Sequence, residues 1–378
     1  MEFTSNFLGT VSSFAALAAA PAALAVGFGV VPRLGPGRAV ALALRSRLFL
    51  RADPASQRVH EVITLRALLA FASKDQYVVV AGPKGVGKTC VVESATQRTF
   101  GVVTVRVPAG TSAEKILADV FTAITRFYVR SLDQSGSARS VLWWHHLLFR
   151  TPATVVLQAA ERKPSQVHAD LDSAARALSR DFGMRVVVDA SNNSLPSAAL
   201  ATLRKMVLDV EPMPRATLEA LPELAPLLAA LRKACLADTV WAVAGGVPAL
   251  YLQLRVQWEA RGAHSDLARV VADFALSNLK KAVHNVGDAV AANKCLQGLF
   301  DSFRGAARVP YSALKAQQIV RPSPDKVLRD VFAIGAGGAP EDVLVPADAA
   351  TALVLRFGLT EVPTMAALAA MLAMPAGA

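Results

Sequence analysis

The sequence predicts an α/β fold in which a parallel β-sheet is flanked by helices. Short apolar runs rich in β-branched residues recur at residues 77–81, 102–107, 153–162 and 184–193, a pattern typical of strands buried on both faces. Segments with helical periodicity separate these runs, and alternating strands and helices indicate parallel βαβ units. A glycine-rich turn joins the first strand to the following helix. These observations place the core of the chain in the α/β class.

The glycine-rich turn reads GPKGVGKT and matches the pattern G-x-x-x-x-G-K-[ST] at every fixed position. Glycines let backbone N–H groups curl around an anion at a helix N-terminus. At these positions Lys88 would reach the β and γ phosphates of a nucleotide, and the Thr89 hydroxyl would ligate Mg²⁺. We therefore predict a nucleotide site in which Lys88 is catalytic and Thr89 is a metal ligand. The predicted binding residues of this segment are Gly82, Pro83, Lys84, Gly85, Val86, Gly87, Lys88, Thr89 and Cys90.

The remaining elements of the core follow in chain order. Thr111 or Ser112 is a suitable N-cap for a helix with an apolar face. His145 and His146 are adjacent, so they point to different faces of a helix and are interpreted as structural residues rather than metal ligands. Cys90 lies at a helix N-terminus, which lowers a thiol pKa, although a buried and inert thiol is the favoured interpretation. The other predictions are a helix to residue 100, an exposed loop at 131–140, a short apolar helix at 141–149 and a helix at 168–182.

Two strands compete to supply the metal-side acid of the nucleotide site. The string RVVVD ends the fourth strand at Asp189, which we predict to be a catalytic residue and a Mg²⁺ ligand. This choice requires a fifth strand near residues 206–210, after a short crossover. Alternatively the third strand holds this role and Gln158 replaces the acid. Asp189, Ser191 and Asn192 then lie at the sensor position beside the γ-phosphate. No second acid follows in either case, because Ala190 follows Asp189 and Ala159 follows Gln158.

A Gly-Gly-Val-Pro step at residues 245–248 opens a predicted helix beyond the sheet. Together with the glycine-rich turn, this step resembles the archaeal-type ATPase branch of the STAND and AAA+-like P-loop NTPases, over about residues 58–254. The resemblance implies a helical lid near the nucleotide, ATP and Mg²⁺ as cofactors, and a helix at residues 58–71 that leans on the base. It adds Arg58 and Pro248 to the predicted nucleotide-binding residues. The chain departs from the family's pattern in lacking a second acid and an identifiable arginine finger.

The C-terminal part resembles a winged helix. An amphipathic helix at residues 270–284 precedes short helical segments at 291–300, 311–320 and 324–332, a glycine-rich turn and a β-like stretch. From His264 onward, 11 Lys and Arg residues stand against 10 Asp and Glu residues, so the basic surface of a DNA reader is missing. A protein-interaction module is therefore favoured over nucleic-acid binding.

The N-terminal segment carries no charge from Phe3 to Pro32, and residues 14–31 are nearly long enough to cross a bilayer. A membrane anchor, a targeting peptide and a soluble helical pair all fit this segment. With 53% hydrophobic residues the chain is not wholly disordered, and three widely spaced cysteines indicate a reducing compartment. We expect an intracellular, membrane-associated protein.

These patterns predict four regions and one main function. The regions are an apolar segment at 1–50, a P-loop NTPase core at 51–212, a helical lid at 213–263 and a winged-helix-like module at 264–378. The main prediction is an ATP-binding protein that acts as a nucleotide-dependent switch or weak ATPase. A membrane-tethered scaffold with structural nucleotide is one alternative. A nucleic-acid-associated ATPase is the other, suggested by the net charge of +11.

Overall fold

A computed structural model gives the architecture of the chain from the first helix of the core to near the C-terminus. The structure describes residues 39, 42, 43, 58–97, 99–108, 110–125, 135–159, 165–189, 205–261, 266–292, 296–304, 309–310, 332–335, 343–346 and 348–373. The predicted apolar stretch at residues 14–31 lies outside these residues. Within them, no helix combines the length and the apolar character needed to span a membrane.

Strands and helices alternate through the first half of the described chain. In order they are α1 (Val59–Phe71), β1 (Tyr77–Ala81), α2 (Lys88–Thr96), β2 (Val102–Val107), α3 (Ala113–Thr125), α4 (Ser135–Phe149), β3 (Thr154–Ala159), α5 (Ser165–Arg180), β4 (Arg185–Asp189) and β5 (Lys205–Asp209).

Helices dominate the second half. The elements are α6 (Arg215–Glu219), a 3₁₀ turn (Pro222–Leu224), α7 (Ala225–Lys233), α8 (Ala237–Ala244), α9 (Pro248–Ala260), α10 (Leu267–Ala292), α11 (Leu296–Ser302), β6 (Val309–Pro310), β7 (Phe332–Gly335), β8 (Val343–Pro346), α12 (Ala349–Phe357) and α13 (Met365–Ala373).

Strands β1 to β5 form one parallel sheet in the order β2-β3-β4-β1-β5. All five side chains of β1 are buried, which accounts for its unbroken apolar sequence. Helices α1 and α2 pack on one face of the sheet, and α3, α4 and α5 pack on the other. The predicted α/β fold with a parallel sheet between helical layers is confirmed.

Helix α4 begins six residues earlier than the sequence indicated. Residues 135–140, predicted to be part of an exposed loop, form its first turns. Ala138, Val141 and Leu142 are buried against the sheet, and their i, i+3, i+4 spacing continues the apolar face of the helix upstream. The loop prediction for residues 135–140 was therefore wrong. It relied on the polar residues of this segment and overlooked Ala138, which packs against the sheet.

A single hydrophobic core connects the lid to the C-terminal region. It extends from Met213 to Leu368, and α12 packs against both α8 and α10. Strands β6, β8 and β7 form a separate antiparallel sheet in that order. Residues 311–320 and most of 324–332, which were expected to complete a winged helix, lie outside the described residues, so the winged helix stays a prediction.

Candidate functional site

The glycine-rich turn is held in a conformation that depends on its glycines. It connects β1 to α2, and Gly82, Gly85 and Gly87 all have positive φ angles, of 148°, 82° and 103°. Gly87 is the left-handed N-cap of α2. A Cβ on Gly82 would overlap the carbonyl oxygen of Val210. The backbone therefore forms a cradle at a helix N-terminus that side chains at these positions would fill.

The Lys88 side chain folds back along this turn. Its Nζ donates hydrogen bonds to the carbonyl oxygens of Gly82 and Pro83, at 2.7 and 2.8 Å. These contacts fix the ammonium group beside the glycine-rich backbone. The structure thus brings together the predicted phosphate-binding lysine and the predicted phosphate cradle.

The Thr89 hydroxyl donates a hydrogen bond to Asp189 Oδ2 at 2.8 Å. Because β4 lies directly beside β1, Asp189 is in register with Val80, two residues before the turn. A hydroxyl and a carboxylate therefore meet at the carboxyl end of the sheet. These two oxygen ligands fit a Mg²⁺ ion, which prefers carboxylate and hydroxyl oxygens.

Asp189 is only 8% exposed. Burial raises the pKa of its carboxyl group, and the Thr89 hydrogen bond and the charge of Lys88 oppose this shift. The carboxylate is therefore costly to ionise without a cation close to it. This electrostatic setting favours uptake of a cation at Asp189.

Gln158 lies one strand further from the turn. It is in register with Asp189 across β3 and β4, and it is half-buried. Both candidates for the metal-side position thus share the same edge and the same face of the sheet. Of the two, Asp189 is the residue that accepts a hydrogen bond from the Thr89 hydroxyl. Residue 190 lies outside the described part of the chain, and Ala159 follows Gln158.

Arg58 is a buried arginine that joins α1 to the far side of the turn. It is 4% exposed, its Nη1 contacts Glu61 Oε1 at 2.5 Å, and its Nη2 donates to the Glu211 carbonyl oxygen at 3.0 Å. A Cβ on Gly87 would lie 3.5 Å from Arg58 Nε, a nitrogen that has no hydrogen-bond partner among the described residues. The guanidinium group therefore packs beneath the phosphate cradle, near the predicted nucleotide.

The N-terminus of α9 contacts the turn directly. The Ala249 N–H points to the Gly85 carbonyl oxygen at 3.4 Å. A Cβ on Gly85 would lie 2.8 Å from Ala249 Cβ and 3.1 Å from a Val247 methyl group. Pro248 is the first residue of α9, between these two contacts. The structure thus places the Gly-Gly-Val-Pro step against the glycine-rich turn, in line with what the family resemblance implied.

The sequence did not indicate how this step is anchored. Met213 N donates to the Gly246 carbonyl oxygen at 2.7 Å, and Val210 N donates to the Ala81 carbonyl oxygen at 2.8 Å. A Cβ on Gly246 would overlap the Met213 backbone. The short connection after β5 therefore ties the lid to the start of the turn. The paired glycines were the available signal, since close backbone approach is a common reason for glycine.

Three of the predicted binding residues contribute in other ways. Val86 is fully buried in the core between α1, α2 and the sheet, so only its backbone belongs to the turn. Lys84 is exposed. Cys90 packs partly buried against the same core, and burial and the charge of Glu93 raise the pKa of its thiol. A raised pKa favours the interpretation of Cys90 as an inert thiol over a thiol activated at the helix N-terminus.

The two adjacent histidines have different environments. His145 is fully buried and His146 is exposed, which agrees with their interpretation as structural residues. Among the described residues no group of three or more His, Cys, Asp or Glu side chains is arranged to hold a metal ion.

The fold and the turn together define a P-loop protein of the α/β class. No protein-family model and no curated protein matches the chain. Among solved structures, a chain of Drosophila ORC bound to DNA aligns with 14% identity, 84% coverage of this chain, 91% coverage of its own and a TM-score of 0.39. Cdc6p from Pyrobaculum aerophilum aligns with 11% identity, coverages of 82% and 96%, and a TM-score of 0.39.

The RuvB Holliday junction branch migration motor of Thermotoga maritima is a further similar structure. It aligns with 15% identity, 77% coverage of this chain, 91% coverage of its own and a TM-score of 0.36. Scores of this size do not determine a function.

Proposed function

We propose that the protein is an ATP-dependent molecular switch in which Mg-ATP binds at the P-loop and holds the lid. The observation that carries this proposal is the contact between the turn and the N-terminus of α9, through Gly85 and Ala249. Because the turn and the lid are in direct contact, a ligand that changes the conformation of the turn also acts on the lid. The same contact supports the AAA+-like and STAND-like assignment of the lid.

The residues present fit Mg-ATP. The backbone of Gly82 to Gly87 and the ammonium group of Lys88 would hold the phosphates, and Thr89 with Asp189 would hold Mg²⁺. Bound Mg²⁺ neutralises phosphate charge. Arg58 would support the turn from below and approach the base. Adenine is proposed over guanine from the family resemblance and because the sequence has no N/T-K-x-D string.

The acid arrangement favours a switch over an efficient hydrolase. Ala190 follows Asp189 and Ala159 follows Gln158, so neither strand supplies a second carboxylate at the next position. Hydrolysis requires a group that orients the attacking water. Slow turnover or exchange would then reset the switch.

Binding of a fluorescent ATP analogue with Mg²⁺ tests the proposal. Lys88→Ala removes a charge-assisted contact, so affinity should fall by about 10- to 100-fold. Lys84→Ala is the matched control, because it removes the same charge from a variable position of the turn. Equal and weak binding by wild type and Lys88→Ala would refute the proposal.

The lid movement has its own readout. Trp241 and Trp258 lie in the lid, on α8 and α9, whereas Trp143 and Trp144 lie on α4. With Trp143 and Trp144 replaced by Phe, tryptophan fluorescence reports the lid alone. ATP and ADP should give different spectra. Identical spectra at saturation would leave a nucleotide-binding protein without a switch.

Turnover separates the remaining alternatives. Phosphate release that Asp189→Asn abolishes would exclude a scaffold with purely structural nucleotide. Stimulation of turnover by DNA would favour the nucleic-acid-associated alternative, and filter binding at background level in low salt would exclude it.

A further inference from the structure

A second polar cavity lies at the opposite end of the sheet from the P-loop. It has a volume of about 260 Å³ and is lined by Arg66, Leu69, Ala95, Thr99, Thr154 and Arg185. Arg185 is the first residue of β4 and Asp189 is the last. Four residue-to-residue steps along the strand place the two about 13 Å apart. The cavity is therefore distinct from the nucleotide site, and the switch proposal does not include it.

The strand register explains why these polar groups meet. Thr154 and Arg185 are paired residues of β3 and β4, so their side chains leave the sheet on the same face, beneath α1 and α2. Arg66 approaches from α1 and donates from Nη2 to the Ser94 carbonyl oxygen at 2.7 Å and from Nε to the Ala95 carbonyl oxygen at 3.3 Å. These two carbonyls belong to the C-terminal turn of α2.

Neither arginine of this cavity has a carboxylate partner among the described residues. Two guanidinium groups thus line one cavity without a compensating charge. Arg185 is partly buried, and this burial lowers the pKa of its guanidinium group. Arg66 is exposed and Arg185 is partly exposed, so both guanidinium groups can reach an anion that enters the cavity from solvent.

Thr154 gives an independent indication of a ligand. Its side chain is fully buried and lines the cavity, and its Oγ1 has no hydrogen-bond partner in the described structure. A buried hydroxyl without a partner is uncommon and costs about 1–3 kcal/mol. An oxygen of a bound anion would accept a hydrogen bond from this hydroxyl.

We propose that this cavity binds the phosphate group of a small ligand, between the guanidinium groups of Arg66 and Arg185 and the hydroxyl of Thr154. Guanidinium groups match the planar pairs of oxygens on a phosphate. Leu69 and Ala95 supply an apolar wall for the rest of the ligand. Because the volume is below the usual range for drug-sized ligands, the ligand is a small phosphomonoester or free phosphate.

Equilibrium binding of radiolabelled inorganic phosphate to the full chain tests this site. The measurement uses a Lys88→Ala background, which weakens phosphate binding at the P-loop and so keeps the result separate from the proposed switch. Saturable binding should remain in this background. Arg185→Gln should weaken it at least about tenfold, as expected for a charge-assisted contact in a desolvated site.

Thr154→Val provides the critical variant because it keeps the shape of the side chain. It removes a hydroxyl that has no partner within the described chain, so thermal stability should hold or rise while phosphate affinity falls. The matched control is Arg180→Gln, which removes an equal charge from an exposed arginine paired with Asp181 outside the cavity. Circular dichroism melts confirm that each variant is folded.

Glycerol 3-phosphate distinguishes the two sources of the phosphate group. Tighter binding of the ester than of inorganic phosphate would assign an organic ligand, and the reverse order would assign free phosphate. The proposal fails if no saturable binding occurs up to about 10 mM, beyond the range of specific affinities. It also fails if Arg180→Gln weakens binding as much as Arg185→Gln, or if Thr154→Val binds phosphate as the parent does.

Discussion

At the carboxyl end of β4, Asp189 accepts a hydrogen bond from Thr89. At the amino end of the same strand, Arg185 lies beside the Thr154 hydroxyl, which has no hydrogen-bond partner among the residues that the structure describes. One end carries a buried acid next to a glycine-rich turn. The other carries basic groups and a buried imidazole, His145, packed near Gly101. The two ends of the strands in a parallel sheet carry different functional groups, because a different set of loops lies at each end.

The largest expected effect concerns the backbone at the carboxyl end. In Gly82→Ala the new Cβ would overlap the Val210 carbonyl oxygen, at a φ of 148°. Backbone cannot move aside as a side chain does, so the free energy of unfolding should fall by about 3 kcal/mol. Urea denaturation followed by circular dichroism measures this loss.

Gly287→Ala is the control for that substitution. Gly287 lies within α10, and a Cβ there would meet no atom within 4 Å. The same chemical change should therefore stabilise the protein by about 0.5–1 kcal/mol. If Gly82→Ala loses less unfolding free energy than Gly287→Ala gains, the close approach of Gly82 to the Val210 carbonyl oxygen is contradicted.

The amino end should respond to Gly101→Ala by a smaller loss. The new Cβ would overlap His145 Nε2, and the φ of 72° adds backbone strain. Since the obstacle is a side chain, we expect a loss of about 2 kcal/mol in urea denaturation. His145→Ala in the same chain should recover part of this loss. Additive effects of the two substitutions would show that the residues do not meet.

The carboxyl end was largely predictable from the sequence, and the amino end was not. Residues 82–89 are contiguous, so the P-loop is visible as a motif, and the alternation of strands predicted the sheet that positions it. Asp189 also ends an apolar string. The contact of Ala249 with Gly85 was anticipated only through the family resemblance, because over 160 residues separate them.

The phosphate cavity had no sequence signal of its own. Arg66, Thr154 and Arg185 come from three elements, and only the register of β3 with β4 and the packing of α1 bring them together. The longer α4 was missed for a similar reason, since Ala138 is a weak apolar residue until the sheet covers it. The local sequence pattern predicts helices, strands and motifs, whereas contacts between residues of different elements depend on tertiary packing.

Asp189→Asn should change stability and binding in opposite directions. The pKa of Asp189 is raised in the folded protein, so the native state binds more protons than the unfolded state above about pH 4, and stability falls as the pH rises through this window. The amide should therefore stabilise the protein at neutral pH, because it carries no charge that burial penalises. Its Mg-ATP affinity should decrease, because a metal-side charge is lost.

Thermal melts with and without Mg-ATP measure both effects of Asp189→Asn. The variant should melt higher than wild type alone, and nucleotide should raise its melting temperature less. A variant that is less stable without nucleotide would show that the Thr89 hydrogen bond outweighs the burial of the charge. In that case Asp189 would be a structural acid, and the contrast between the two ends of β4 would lose its electrostatic basis.

The smallest effect is expected at His145, and its sign is opposite to that of Asp189. Burial lowers the pKa of this imidazole, and the Thr151 backbone opposes the shift without reaching hydrogen-bonding geometry. The unfolded state therefore binds more protons below about pH 6.5, and stability is lost as the pH falls through this window. His145→Leu removes the titrating group, so the unfolding free energy of this variant should lose that part of the pH dependence. The slope lost should be below about 1.4 kcal/mol per pH unit.

His146→Leu is the exposed control and should keep the slope of wild type. Urea denaturation between pH 5 and 7 decides the comparison: if His145→Leu and wild type have the same slope, the acid sensitivity comes from elsewhere, and the amino end of the sheet is not the end that protonation weakens.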